Sequence, residues 1–109
     1  MGEERLRPLH SSRIDDASVR DELDEFVVGL AERVDLLQDA EASGDHQATG
    51  SQASTLATQA EELGFETLSR SAREVDRACA RGDQGEVRKY LVELTEVSQR
   101  VRLGHRGAF

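Results

Sequence analysis

Side chains that could bind a metal or act as nucleophiles are few in this chain and far apart in the sequence. Three histidines, His10, His46 and His105, and one cysteine, Cys79, show none of the short spacings typical of zinc ligands. Neither a glycine-rich phosphate loop nor a nucleophile elbow is present. Cys79 falls on an apolar stripe, so we expect it to pack in a core. The sequence therefore predicts no metal, no cofactor and no enzymatic activity.

Composition indicates one small acidic domain. The chain has 109 residues, with 22 acidic and 14 basic side chains and a net charge of −8. This charge disfavours nucleic acids and anionic membrane surfaces, since binding to both depends on basic side chains. No apolar run approaches the roughly 20 residues that span a bilayer, and Met1 to His10 lacks the apolar middle of a signal peptide. We predict a single cytoplasmic domain, residues 1–109, that binds neither nucleic acid nor membrane.

Apolar periodicity predicts four helices and no strands. The first runs from about Asp16 to Ala42, where apolar side chains recur at helical spacing. The others are predicted over about 46–63, 66–81 and 84–103. Glycines stand where helix C-caps favour them: Gly44, Gly64, Gly82 and Gly104. Because short turns make neighbouring helices antiparallel, we predict an all-α, up-and-down four-helix bundle over about 16–103, with tails at 1–14 and 104–109.

Several local signals refine this bundle. Asp45 and Asp83 precede predicted helices and are good N-cap residues. Phe65 follows the second helix, and we expect it to close one end of the bundle. Leu9 and Ile14 are expected to pack across that end.

Four short motifs occur in the order typical of a known family. They are an acidic-aromatic stretch, Leu23-Asp24-Glu25-Phe26; a turn, Gly44-Asp45; a helix end, Leu63-Gly64-Phe65; and a second turn, Gly82-Asp83. Over about 23–103 the chain resembles the histidine phosphotransfer (HPt) family. These four-helix domains pass a phosphoryl group to and from an aspartate on a receiver domain.

The resemblance breaks down at the residues that carry the family's chemistry. The family's active segment resembles His-x-Leu-Lys-Gly-(Ser/Ala)-Ala and ends in Leu-Gly. Counting back ten residues from Gly64 places Ser54 at the histidine position. Ala57 then stands where the lysine usually is, and Thr58 where the small glycine usually is. The resemblance implies an HPt-like domain that has lost its phosphate acceptor.

These replacements remove the means of phosphoryl transfer. An imidazole nitrogen is nucleophilic near neutral pH, whereas the Ser54 hydroxyl needs a neighbouring base and would form a stable ester. Ala57 cannot compensate charge on a phosphoryl group as lysine does. Thr58 adds bulk, and Glu61 adds negative charge on the same face. We therefore predict that the chain does not relay phosphate.

A face of the second predicted helix is instead expected to bind a partner. It is centred on the family's histidine position and is rich in small, uncharged side chains: Gln47, Gly50, Ser51, Ser54, Ala57, Thr58 and Glu61. Small side chains permit close approach, and uncharged polar groups cost less to desolvate than charges. The resemblance implies a response-regulator receiver domain or a histidine kinase as partner. The chain itself is expected to be a monomer or a weak homodimer.

Two alternatives stay open. The chain could be an active phosphorelay HPt protein with an atypical site. It could also be an interaction or dimerisation bundle unrelated to phosphorelay, in which the small residues pack helix against helix. Between Arg33 and Arg70 there are seven carboxylates and no lysine or arginine, which indicates a solvated acidic surface or an acidic docking face.

Overall fold

The protein is all-helical in a computed structural model that describes residues 7–106. A short 3-10 turn, Ala17–Val19, leads into four α-helices. There is no strand among the described residues, and the all-α, four-helix prediction is confirmed. Within the same range, no helix combines the length and apolar character needed to cross a membrane. The helices are α1 (Arg20–Ala42), α2 (His46–Glu62), α3 (Glu66–Arg81) and α4 (Gln84–Arg106).

The helix pairs in contact are consistent with a four-helix bundle. Each helix packs against its neighbours in sequence, α1 also packs against α4, and the diagonal pairs make no contact among residues 7–106. At least one leucine from each helix is fully buried in the shared core. Burying a leucine contributes about 1.5–3 kcal/mol relative to leaving it exposed, so these residues anchor all four helices: Leu30, Leu56, Leu68 and Leu94.

The turns between helices follow the predicted local signals. The glycines at 44, 64 and 82 adopt left-handed backbone conformations directly after a helix, which glycine does at little cost. Asp45 accepts a hydrogen bond at 3.0 Å from the backbone amide three residues on. Asp83 does the same at 3.1 Å. Both N-cap predictions are confirmed.

The predicted end of the last helix is wrong. The helix α4 continues past Leu103, and Gly104 lies inside it. Gly104 is needed for packing instead, because a Cβ at this position would collide with the Leu9 carbonyl oxygen. Of the predicted tails, residues 1–6 and 107–109 lie outside the described residues.

One end of the bundle is covered by residues 7–16, which we call the strap. The Leu9 amide donates to the Arg100 carbonyl of α4 at 2.9 Å, and the Ser12 amide donates to the Gly64 carbonyl at 2.9 Å. The Gly64 carbonyl lies just beyond the end of α2, where a helix runs out of intrahelical donors, and Arg100 lies in the carboxyl-terminal part of α4. The strap therefore joins the carboxyl ends of two helices.

Aromatic side chains close the same end, as predicted. Phe65 is buried and stacks on Phe26 of α1, with ring centroids 5.6 Å apart. Leu9 of the strap packs against the core cluster, as expected. Ile14 remains 40% exposed and lines a cleft at this end.

Candidate functional site

The helix α2 has a buried side and an exposed side, and the predicted docking face falls on both. Four of its seven side chains are exposed: Gln47, Ser51, Thr58 and Glu61. Ser54 is half-exposed, whereas Gly50 and Ala57 are buried. The predicted face is therefore narrower than expected, and its centre still reaches the surface.

The predicted surface position of Ala57 is wrong. Its side chain is fully buried, next to the core residue Leu56. Residues seven apart lie on nearly the same side of a helix, so Ala57 shares the side of Gly50. That side faces α3, because Gly50 lies against Asp76 of that helix. Ala57 thus packs inside the bundle, and a partner cannot contact its side chain.

Gly50 is also withdrawn from the surface, and its contacts explain why glycine stands there. A Cβ at this position would lie 3.1 Å from Asp76 Oδ1 and 3.3 Å from Cys79 Cβ. The absence of a side chain lets α3 approach α2 closely at this point. For Gly50 and Ala57, the small residues pack helix against helix, as one of the sequence alternatives supposed.

Ser54 lies at the edge between the two sides of α2. Its backbone carbonyl accepts the Thr58 hydroxyl at 3.2 Å. The Ser54 hydroxyl itself makes no hydrogen bond to another side chain within residues 7–106. A serine hydroxyl needs an adjacent base to become a nucleophile.

A row of arginines on α3 borders the exposed side of α2. Arg73 Nη2 lies 2.6 Å from Glu61 Oε1, which ties the two helices together at the surface. The spacings of three, four and four residues place the row on one helical side: Arg70, Arg73, Arg77 and Arg81. The sequence prediction missed this row, although its spacing was readable in the sequence.

The acidic segment between Arg33 and Arg70 is mostly solvated. Six of its seven carboxylates are on exposed residues, and only Glu41 is buried. Glu41 pairs with Arg88 of α4 at 3.1 Å. A scattered set of exposed carboxylates favours the solvated surface over a single acidic docking face.

The chain's lone thiol is unsuited to nucleophilic chemistry. Cys79 is half-buried at the boundary of α2 and α3. Burial, together with the nearby Asp76 carboxylate, raises the pKa of the Cys79 thiol above its usual value. A raised pKa keeps the thiol protonated, and the thiolate is the reactive form.

Metal ligands do not converge in the part of the chain that the structure describes. No three histidine, cysteine or carboxylate groups lie close enough there to hold an ion. His46 is half-buried at the start of α2, and its Nε2 is buried without a hydrogen-bond partner among the described residues. His10 and His105 both line the cleft beside the strap.

No family model, curated protein or solved structure matches this chain.

Proposed function

We propose that this chain is an HPt-like docking module that binds a response-regulator receiver domain and does not relay phosphate. The binding surface is the exposed side of α2, which we call the α2 face and define by its outward residues: Gln47, Ser51, Ser54, Thr58 and Glu61. The observation that carries the proposal is this row of short, mostly uncharged side chains on a helix whose other side is locked into the core.

The α2 face suits a protein partner for two physical reasons. Side chains such as Ser51 and Thr58 have few rotamers to lose on binding, so they add little to the entropic cost of association. They are also uncharged, which lowers the cost of removing water from the surface. Because Leu56 and Ala57 are fully buried in the core on the opposite side of the helix, the surface lies on a rigid element.

The same surface lacks what phosphate transfer needs. Among residues 7–106, no side chain that could act as a base is hydrogen-bonded to the Ser54 hydroxyl. Arg73, which borders this surface, is paired with Glu61.

The HPt-like, antiparallel helix order is part of this proposal. Two contacts across α1 and α4 support it. Glu41 near the end of α1 pairs with Arg88 near the start of α4. Asp24 near the start of α1 lies 3.1 Å from His105 near the end of α4. Such pairing is expected when two neighbouring helices run in opposite directions.

Titration of the full chain with purified receiver domains from the same genome tests the docking claim. We expect saturable binding to at least one receiver domain, retained in Ser54→Ala and lost in Ser51→Arg and Thr58→Arg. Gln99→Arg places the same charge on an exposed position of α4 and should bind as the unaltered chain does. Equal binding by all four variants, or no binding to any receiver domain, would overturn the proposal.

Phosphotransfer is tested separately. Incubation with a phosphorylated receiver domain, or with a histidine kinase and ATP, should leave no acid-labile phosphate on the chain. Acid-labile label would show that the chain relays phosphate, and mapping it to a residue would identify the atypical site. The claim that the α2 face binds a receiver domain would then be decided by the binding titration alone.

A further inference from the structure

A cleft lies at the strap end of the bundle and shares no residue with the α2 face. Its volume is about 330 Å³, within the range of roughly 300–1,000 Å³ typical of small-molecule sites. Leu23 and Phe65, both buried, form its apolar floor, and Leu9 and Ile14 of the strap form a wall. Small-molecule sites combine such apolar surfaces with a few polar groups.

The polar groups of the cleft are mostly basic. His10 of the strap, Arg20 at the start of α1 and His105 near the end of α4 all line it. Two of the chain's three histidines therefore converge here from opposite ends of the sequence. Asp24 is the only carboxylate among the lining residues, and it lies 3.1 Å from His105 Nε2.

Arg20 is the cation best placed for an anionic ligand. It is exposed, and within residues 7–106 it makes no ion pair or side-chain hydrogen bond. A guanidinium offers two parallel N–H donors that match the two oxygens of a carboxylate. Asp21 and Glu22 follow it along α1, but neither lines the cleft.

One more basic side chain contacts the strap. Arg100 of α4 donates its Nε–H to the Arg7 carbonyl at 2.9 Å, so the Arg100 guanidinium lies against the strap. With a net charge of −8 on the whole chain, most of the surface repels anions. The cleft lining, by contrast, contains more basic than acidic side chains, next to an apolar floor.

We propose that this cleft binds a small organic monocarboxylate. The carboxylate oxygens accept hydrogen bonds from Arg20, with His10 beside it, and an aromatic or branched aliphatic body covers Leu23 and Phe65. Both parts of the ligand are needed. The floor alone would take any apolar molecule, and the cations alone would take any anion.

The test is calorimetric titration of the full chain with benzoate. Benzoate is expected to bind saturably, and benzamide, which keeps the ring but lacks the charge, is expected to bind about tenfold more weakly or worse. Inorganic phosphate, which keeps a charge but lacks the apolar body, should also bind more weakly than benzoate. Cyclohexanecarboxylate extends the test to a saturated ring.

Substitutions inside and outside the cleft test whether benzoate binds there. Arg20→Gln is expected to weaken benzoate about tenfold or more through loss of a charge-assisted hydrogen bond. Ile14→Gln should weaken it to a smaller extent. Both residues are exposed, so neither change threatens folding. Arg77→Gln removes an exposed arginine of α3, outside the cleft, and should leave affinity unchanged. The proposal is overturned if neither carboxylate binds, if phosphate binds as well as benzoate, or if Arg20→Gln and Arg77→Gln have equal effects.

Discussion

The two sides of α2 contain similarly small residues, but one side packs against another helix and the other side contacts solvent. On the side toward α3, Gly50 and Ala57 are small because another helix must approach. On the outward side, Ser51 and Thr58 are small and contact solvent. A stripe of small residues is therefore ambiguous between packing and binding. Whether such a stripe packs or binds depends on its angular position around the helix relative to fully buried residues such as Leu56.

Enlarging one residue on each side of α2 is expected to give the largest contrast. Ala57→Leu adds volume where the side chain is fully buried, and overpacking of this kind costs about 1–3 kcal/mol. Thr58→Leu, one residue on, should change the free energy of unfolding by less than about 0.5 kcal/mol because Thr58 is exposed. Urea denaturation followed by circular dichroism measures both. Equal effects would contradict the assignment of the two sides.

Substitutions of two helical glycines are expected to give a smaller difference in stability. Gly29 of α1 has open space where a Cβ would lie, so Gly29→Ala should stabilise the protein by up to about 1 kcal/mol through helix propensity and a less flexible unfolded chain. Gly50→Ala gains the same propensity but presses against Asp76 and Cys79. We expect a lower melting temperature for Gly50→Ala than for Gly29→Ala. The reverse order would mean that α2 and α3 have room at this point.

The smallest effect concerns the strap, which is bonded to Gly64 just beyond the carboxyl end of α2. Hydrogen bonds from the side chains of Ser18 and Arg13, and from the Ser18 amide, lower the pKa of Asp16 from 3.8 to about 2. A carboxyl group with a lowered pKa in the folded state stabilises it fully above the unfolded value, and this contribution is lost as pH falls toward about 2.

Comparison with Asp16→Asn measures that contribution. The unaltered chain should be slightly more stable than the variant at pH 5, and the difference should shrink between about pH 4 and pH 2. Because Asp16 lies at the surface, the difference is expected to be small. Thermal melts of both proteins over this range provide the measurement. A constant difference across the range would mean that Asp16 does not titrate as described.

Local features of the fold were predictable from the sequence. The N-caps Asp45 and Asp83, and the glycines at 44, 64 and 82, depend on a few neighbouring residues, and all were confirmed. Apolar periodicity likewise placed all four helices, because each needs one side in the core. The role of Phe65 at the bundle end was also foreseen.

The features that sequence reasoning missed depend on distant contacts. Gly104 lies inside α4, and the contact that requires a glycine there comes from Leu9, far away in the chain. The burial of Ala57 depends on where α3 lies, which the periodicity of α2 alone does not specify. The cleft unites His10 and His105 from the two ends of the chain, so no local spacing could have indicated it. The HPt resemblance and the receiver partner stay predictions.

The most direct test of the central claim is thiol labelling at two positions of α2 in a Cys79→Ser background. We expect the thiol of Ser54→Cys to react quickly with a maleimide. Addition of a receiver domain that binds the chain should slow this reaction. The thiol of Ala57→Cys should react only as fast as the protein unfolds, with or without the receiver domain. Equal labelling rates at the two positions, or no protection of Ser54→Cys by any receiver domain, would contradict it.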